Sequence, residues 1–137
     1  MNEFNIMTIA ATGMSAQRLR IDVITNNLAN SETTRTKNGE PYRRKVPVFQ
    51  ELVRNIKGRV ENGGVIVKEI YEDQSPFRIV YDPAHPDADE NGYVKLPNVN
   101  VVREMVDMIN AQRAYEANVT AFNTTKAMIN SALQIGR

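Results

Sequence analysis

The sequence predicts a mainly α protein in which long N- and C-terminal helices pair as a coiled coil around a small antiparallel β insert with irregular loops. Three features point to it. Val101, Met105, Met108, Gln112, Tyr115, Val119, Phe122, Lys126, Ile129 and Leu133 form a row at alternating four- and three-residue spacing. Met7, Ala10, Met14, Gln17, Ile21, Ile24 and Leu28 repeat that spacing near the other end. Between them the chain turns to loop composition and short β-branched runs. A repeat averaging 3.5 residues keeps one stripe facing a partner helix, and the stems of Gln and Lys can lie along such a stripe.

The first helix is expected within residues 1–30. Asn2 is a candidate N-cap, no Pro interrupts the segment, Gly13 is its only interior Gly, and Asn30-Ser31 follow its end. Residues 31–98 form the middle. Ser31 to Tyr42 is rich in Ser, Thr, Asn, Gly and Pro and nearly devoid of apolar residues, so disorder or ordering by a partner is expected there. From Tyr42 to Val53, apolar residues surround Pro47, and the start of this run reads as a short edge strand. Asn62-Gly63-Gly64 reads as a turn. Val65 to Tyr71 is the strongest strand, Ser75-Pro76 ends it, and Phe77 to Tyr81 alternates as the next, with its aromatic and apolar residues on one face. Two good strands and one poor one are marginal alone and should rest on the helices or on another subunit.

The second helix is expected within residues 99–137. Pro97-Asn98 and Asn100 precede it, Glu104 sits in its first turn and Gly136 stops it. A helix from Val101 to Ile135 is roughly 50 Å long at 1.5 Å per residue. A compact domain of this size does not cover such a length, so the seam asks for a partner. That partner is either another chain or the first helix, in an intramolecular antiparallel hairpin. Isolated helices are marginal in water. If the partner is another chain, residues 1–30 and 101–137 of the monomer should show little amide protection.

With 137 residues, 42% hydrophobic, and a mean hydropathy of -0.43, the chain is expected to be one folding unit or a small domain with helical arms. No run approaches the roughly 20 apolar residues that span a bilayer. Glu3 stands where a secretory signal is basic, and polar residues break every apolar stretch, so no cleavable signal is expected. The absence of Cys excludes disulfides, thiolate ligands and cysteine nucleophiles. A net charge of +1 gives no bulk attraction to nucleic acid or anionic membrane. The distribution is uneven. Basic residues outnumber acidic ones ten to five in residues 1–60, and acidic lead eight to three in residues 61–98. These regions can neutralise each other within a chain or between copies. The basic cluster Arg35, Lys37, Arg43, Arg44 and Lys45 has one aromatic, Tyr42, beside it and no nucleic-acid module around it.

Asp82 to Gly92 is the one stretch resembling a metal or catalytic site, with the only His, His85, and four carboxylates. Asp87, Asp89, Asn91 and Gly92 match positions 1, 3, 5 and 6 of a calcium loop, but position 12 is Asn98 instead of Glu. A Pro-rich turn also precedes it where a helix belongs. The stretch therefore reads as a structural turn. No phosphate loop, nucleophile elbow or HExxH occurs, and no catalytic, cofactor or metal residue is assigned. A hydrolase built on His85 and its carboxylates is the enzymatic alternative.

Asn26-Asn27-Leu28-Ala29-Asn30, ending a helix of small and apolar residues, resembles the N-terminal signature of bacterial flagellar rod, hook and hook-associated axial proteins. The run from Asn98 through Asn118 resembles their C-terminal signature. Glu104-Met105-Val106, Met108-Ile109 and Ala111 through Asn118, including Arg113, Ala114, Tyr115, Glu116 and Ala117, carry that match. The stretch DPAHPDADENGYVKLPNVN and the segment PYRRK resemble the proximal-rod members. The resemblance implies a structural, non-enzymatic subunit of the basal-body rod. Its terminal helices would polymerise into a helical tubular shaft that transmits torque and encloses an export channel. The implied partners are other copies of the chain, other rod subunits and the flagellar type III export apparatus. No nucleic acid, small-molecule substrate, cofactor or membrane span is implied, and the location is the periplasmic rod, reached without a cleavable signal. The packing seam would be Met7, Met14, Ile21, Ile24 and Leu28 with Val101, Met105, Met108, Tyr115, Val119, Phe122, Ile129 and Leu133. Val102, Val106 and Ile109, and Met128, Ala132 and Ile135, widen it. A coiled-coil adaptor or secretion-associated interaction protein is the alternative, and it should form closed dimers or trimers.

Overall fold

A computed structural model describes residues 3–56 and 58–136. Asn2, the candidate cap, lies outside them. The element order is α1 (Glu3–Ala29), β1 (Lys45–Ile56), β2 (Arg59–Glu72), β3 (Arg78–Tyr81), β4 (Tyr93–Leu96) and α2 (Val101–Ile135). The chain is mostly helical, with two antiparallel two-stranded sheets, β1–β2 and β3–β4.

Asn100 caps α2 by accepting the Arg103 N–H at 3.1 Å, and the Gly136 N–H closes the helix on the Ala132 carbonyl at 3.1 Å. The helices pack antiparallel. Asn27 meets Glu104, Arg20 lies 3.9 Å from Asp107, and Gly13 faces Asn118. Glu104, Met108, Ala111, Tyr115, Asn118, Phe122, Thr125 and Ile129 follow one another at four- and three-residue spacing and are buried or half-buried. Four of them belong to the apolar row read from the sequence. Its other members behave differently: Val101, Met105, Gln112, Lys126 and Leu133 are exposed, and Val119 is half-buried. Small or polar residues take the alternate inner positions, which lets the helices approach closely. A Cβ on Gly13 would stand 2.8 Å from the Asn118 side-chain oxygen. On α1, Ala10 and Ile24 are buried, while Met7, Met14, Ile21 and Leu28 are half-buried.

α1 is the central element. It packs on α2 and on both strands of the β1–β2 hairpin, whereas among the described residues α2 packs on no strand. The hairpin runs from the Lys45–Glu72 pair to the Ile56–Arg59 pair. It is much longer than the short edge strand expected around Pro47. A two-stranded ribbon leaves an outer side of each strand unpaired, where a proline is tolerated. The turn expected at Asn62-Gly63-Gly64 is also corrected. These residues lie inside β2, at a register irregularity opposite Glu51 to Val53, and the chain reverses beside Gly58. Gly64 is needed there, with φ at 113°, because a Cβ would collide with the Thr12 hydroxyl. That hydroxyl accepts the Val65 N–H at 3.1 Å and donates to the Ile9 carbonyl at 2.8 Å.

The insert contains a fourth strand, β4, which the sequence reading missed. It pairs with β3 from Arg78–Leu96 to Tyr81–Tyr93 and buries Val94. Ile79 and Tyr81, on the expected apolar face of β3, are 63% and 64% exposed. The loop expected to be disordered or ordered by a partner is held by the chain itself. Tyr42 N–H reaches the Thr33 carbonyl at 3.0 Å, Thr36 N–H reaches Glu40 at 2.8 Å, and the Thr34 hydroxyl reaches Asp87 at 2.7 Å. No helix among the described residues is long and apolar enough to cross a membrane.

Candidate functional site at the junction of the terminal helices

Asn27 lies near the end of α1 and is 1% exposed. Its side-chain amide stands in for a neighbouring β-strand. Nδ2 donates to the Lys45 carbonyl at 2.9 Å, and Oδ1 accepts the Lys45 N–H at 2.9 Å. Oδ1 also accepts the Tyr42 hydroxyl at 2.9 Å, and Nδ2 donates its second hydrogen to Glu104 Oε2 at 3.1 Å. Two donors and two acceptor sites exhaust what this amide can make.

Glu104, also 1% exposed, accepts the Arg44 Nε–H on its other oxygen at 2.5 Å. A carboxylate enclosed this fully requires a charged or hydrogen-bonding partner. Here it has both. The Arg44 guanidinium also lies 3.6 Å from Asp107 and 3.7 Å from Asp73. Asn98 completes the junction: it accepts the Arg44 N–H at 2.8 Å and donates to the Asp73 and Ser75 carbonyls at 2.9 and 3.1 Å. Asp73 N–H returns to the Arg44 carbonyl at 2.8 Å.

The electrostatics follow this geometry. Burial opposes the Arg44 cation, but the hydrogen bond and charge of Glu104, with Asp73 and Asp107, hold it above its ordinary value. Burial first, then the charges of Glu72 and Glu104, raises the Tyr42 phenol above 10.0. Hydrogen bonds from the Ser75 hydroxyl and N–H keep the Asp73 carboxyl below 3.8, assisted by Arg44 and Arg103.

The acidic turn is tied differently. Asp87 takes the Thr34 hydroxyl and the Arg35 guanidinium, and the Thr34 bond leads in holding its carboxyl below 3.8. Asp89 accepts the N–H groups of Asn91 at 2.9 Å and Tyr93 at 2.8 Å. Asp87 N–H donates to His85 Nδ1 at 3.0 Å. Both carboxylates thus serve as acceptors for the turn and the adjoining loop.

Of the signature residues, Asn27 and Glu104 are brought into direct contact. Asn30 closes the end of α1 by donating to Asn26, at 2.9 Å to the carbonyl and 2.7 Å to the side chain. Ala29 is exposed and Leu28 half-buried. Asn118 donates to the Ala114 carbonyl at 2.9 Å and crowds Gly13. Ala114 and Tyr115 are half-buried, while Arg113, Glu116 and Ala117 are exposed, as are Val102, Met105, Val106 and Ile109. The sequence reading missed Tyr42, Arg44, Asp73, Asn98 and Asp107 as members of one junction. Their signal was present in PYRRK, where Tyr42 and Arg44 looked like parts of a basic loop.

Residues 7–37 match the family described as flagella basal body rod protein, and residues 90–135 match the family described as flagellar basal body rod FlgEFG protein C-terminal. Asn27 lies in the first match and Glu104 in the second. The chain is 52% identical to the flagellar basal-body rod protein FlgC of Borreliella burgdorferi, covering 98% of each chain. It is 47% identical to FlgC of Bacillus subtilis over 100% of each, and 44% identical to FlgC of Escherichia coli O157:H7 over 97% of each. With identities of this size over nearly the whole length, the chain belongs to the flagellar basal-body rod protein family.

Proposed function

We propose that the chain is a structural subunit of the proximal part of the bacterial flagellar rod. It polymerises through its terminal helices into a helical tubular shaft that transmits torque and surrounds an export channel. One observation carries this reading. α1 covers one side of α2, while Val102, Met105, Val106 and Ile109 remain exposed along its first turns. Such a face on one part of a molecule, answered by a different face on the next copy, makes a heterologous contact, which builds an open helical filament when the rotation between copies does not close a ring.

In this reading residues 1–30 and 99–137 are the axial helices, paired as a coiled coil, and residues 31–98 are the insert. The four- and three-residue spacing of the half-buried α2 residues supports that pairing. Met108, Tyr115, Phe122 and Ile129 join Met7, Met14, Ile21, Ile24 and Leu28 in the intrachain seam. Val119 lies at its edge, and Val101, Met105 and Leu133 are available to neighbours. The partners are other copies, other rod subunits and the flagellar type III export apparatus. The role is mechanical, with no catalytic, cofactor or metal residue.

Phe122→Asp tests the seam, because a charge at this half-buried position is partly desolvated against the facing helix. Cells relying on this variant should lose rods and motility while the chain keeps both β hairpins. Thr124→Asp, on an exposed position, should be mild. Swimming cells with complete basal bodies in the Phe122→Asp strain would refute the role of the seam.

A further inference from the structure

We infer that Glu104 is a latch through which seating of α2 orders the base of the β1–β2 hairpin and the loop preceding it. α2 packs on no strand among the described residues, so the link between them runs through side chains. One Glu104 oxygen holds Asn27, whose amide grips both backbone groups of Lys45. The other holds Arg44, whose own backbone is fixed by Asn98 and Asp73. Around it Val101, Val102, Met105 and Val106 are exposed, so Glu104 is the one fully enclosed residue of that turn.

The chemistry requires a carboxylate. Asn27 Nδ2 and Arg44 Nε are both donors, so position 104 must present two acceptor oxygens. Gln would turn an NH2 group towards one of them. With α2 unseated, Arg44 Nε loses its acceptor and Asn27 Nδ2 loses one of its two, so the amide that fixes Lys45 and Tyr42 is held less tightly. The middle of the hairpin is anchored separately, by Val65 N–H on the Thr12 hydroxyl of α1. The latch is therefore local to the hairpin base and its preceding loop, and it is independent of rod assembly.

Amide exchange on the full chain tests it. Glu104→Gln should accelerate exchange in residues 41–49 by about tenfold while residues 62–67 and 108–125 stay within about twofold of the parent. Arg44→Lys, which keeps the charge and loses the Nε donor, should give the same pattern. Met105→Gln, one residue from the latch and exposed, should change none of the three segments. Unchanged exchange at 41–49 in both latch variants would overturn the inference. So would equal acceleration of all three segments, since Glu104 would then be an ordinary part of the core.

Discussion

Asn27 reads as a small polar residue near the end of a helix, yet every hydrogen-bonding position of its amide is occupied. Replacing Nδ2 by an oxygen would set that oxygen against the Lys45 carbonyl and the Glu104 carboxylate. Asn27→Asp should therefore destabilise the chain by about 2–4 kcal/mol, read from denaturant unfolding. Asn26→Asp next to it keeps its acceptor role towards Asn30 on an exposed surface and should stay within about 0.5 kcal/mol. Equal losses at the two positions would mean that the Asn27 geometry does not hold the junction.

At the scale of elements, the two long helices were legible because periodicity is a local signal, whereas their antiparallel packing on each other was one of two partnerships the spacing left open. The inner face of α2 was legible only in part. Apolarity selects Met105 and Val119, but Glu104, Ala111, Asn118 and Thr125 occupy the close-approach positions with small or hydrogen-bonded polar side chains. The hairpin was misread because Gly63 and Gly64 carry the composition of a turn and serve instead for close packing, Gly63 against Leu52 and Arg54 of β1 and Gly64 against Thr12 of α1. β4 was missed because four residues, of which one is buried at 2%, carry little alternating pattern. The junction could not be read at all from spacing, since it joins residues 27, 44, 73, 98 and 104. Gly64→Ala tests the packing role. It should lower the midpoint of thermal unfolding well beyond Gly39→Ala, which shares a positive φ but has open space around it. Similar losses would leave backbone strain alone as the cost at Gly64, without a packing role.

Across the whole molecule, the basic front and acidic middle meet within one chain. Arg35 pairs with Asp87, and Arg44 approaches Asp73, so part of the charge separation seen in the sequence is neutralised internally. The apolar surface is not resolved in the same way. Val102, Met105, Val106 and Ile109 stay exposed near one end of α2, and Met128, Leu133 and Ile135 near the other. Two such patches at opposite ends of a long helix suit contacts that repeat along an axis.

The most direct measurement is negative-stain imaging of basal bodies from cells whose only copy carries Ile109→Asp. Ile109 is 49% exposed, so the charge can remain solvated in the free subunit and is penalised when a neighbour covers it. Complete rods should be absent, with the purified variant retaining parental amide protection at residues 41–49 and 108–125. Complete rods in swimming cells would contradict assembly through this face of α2.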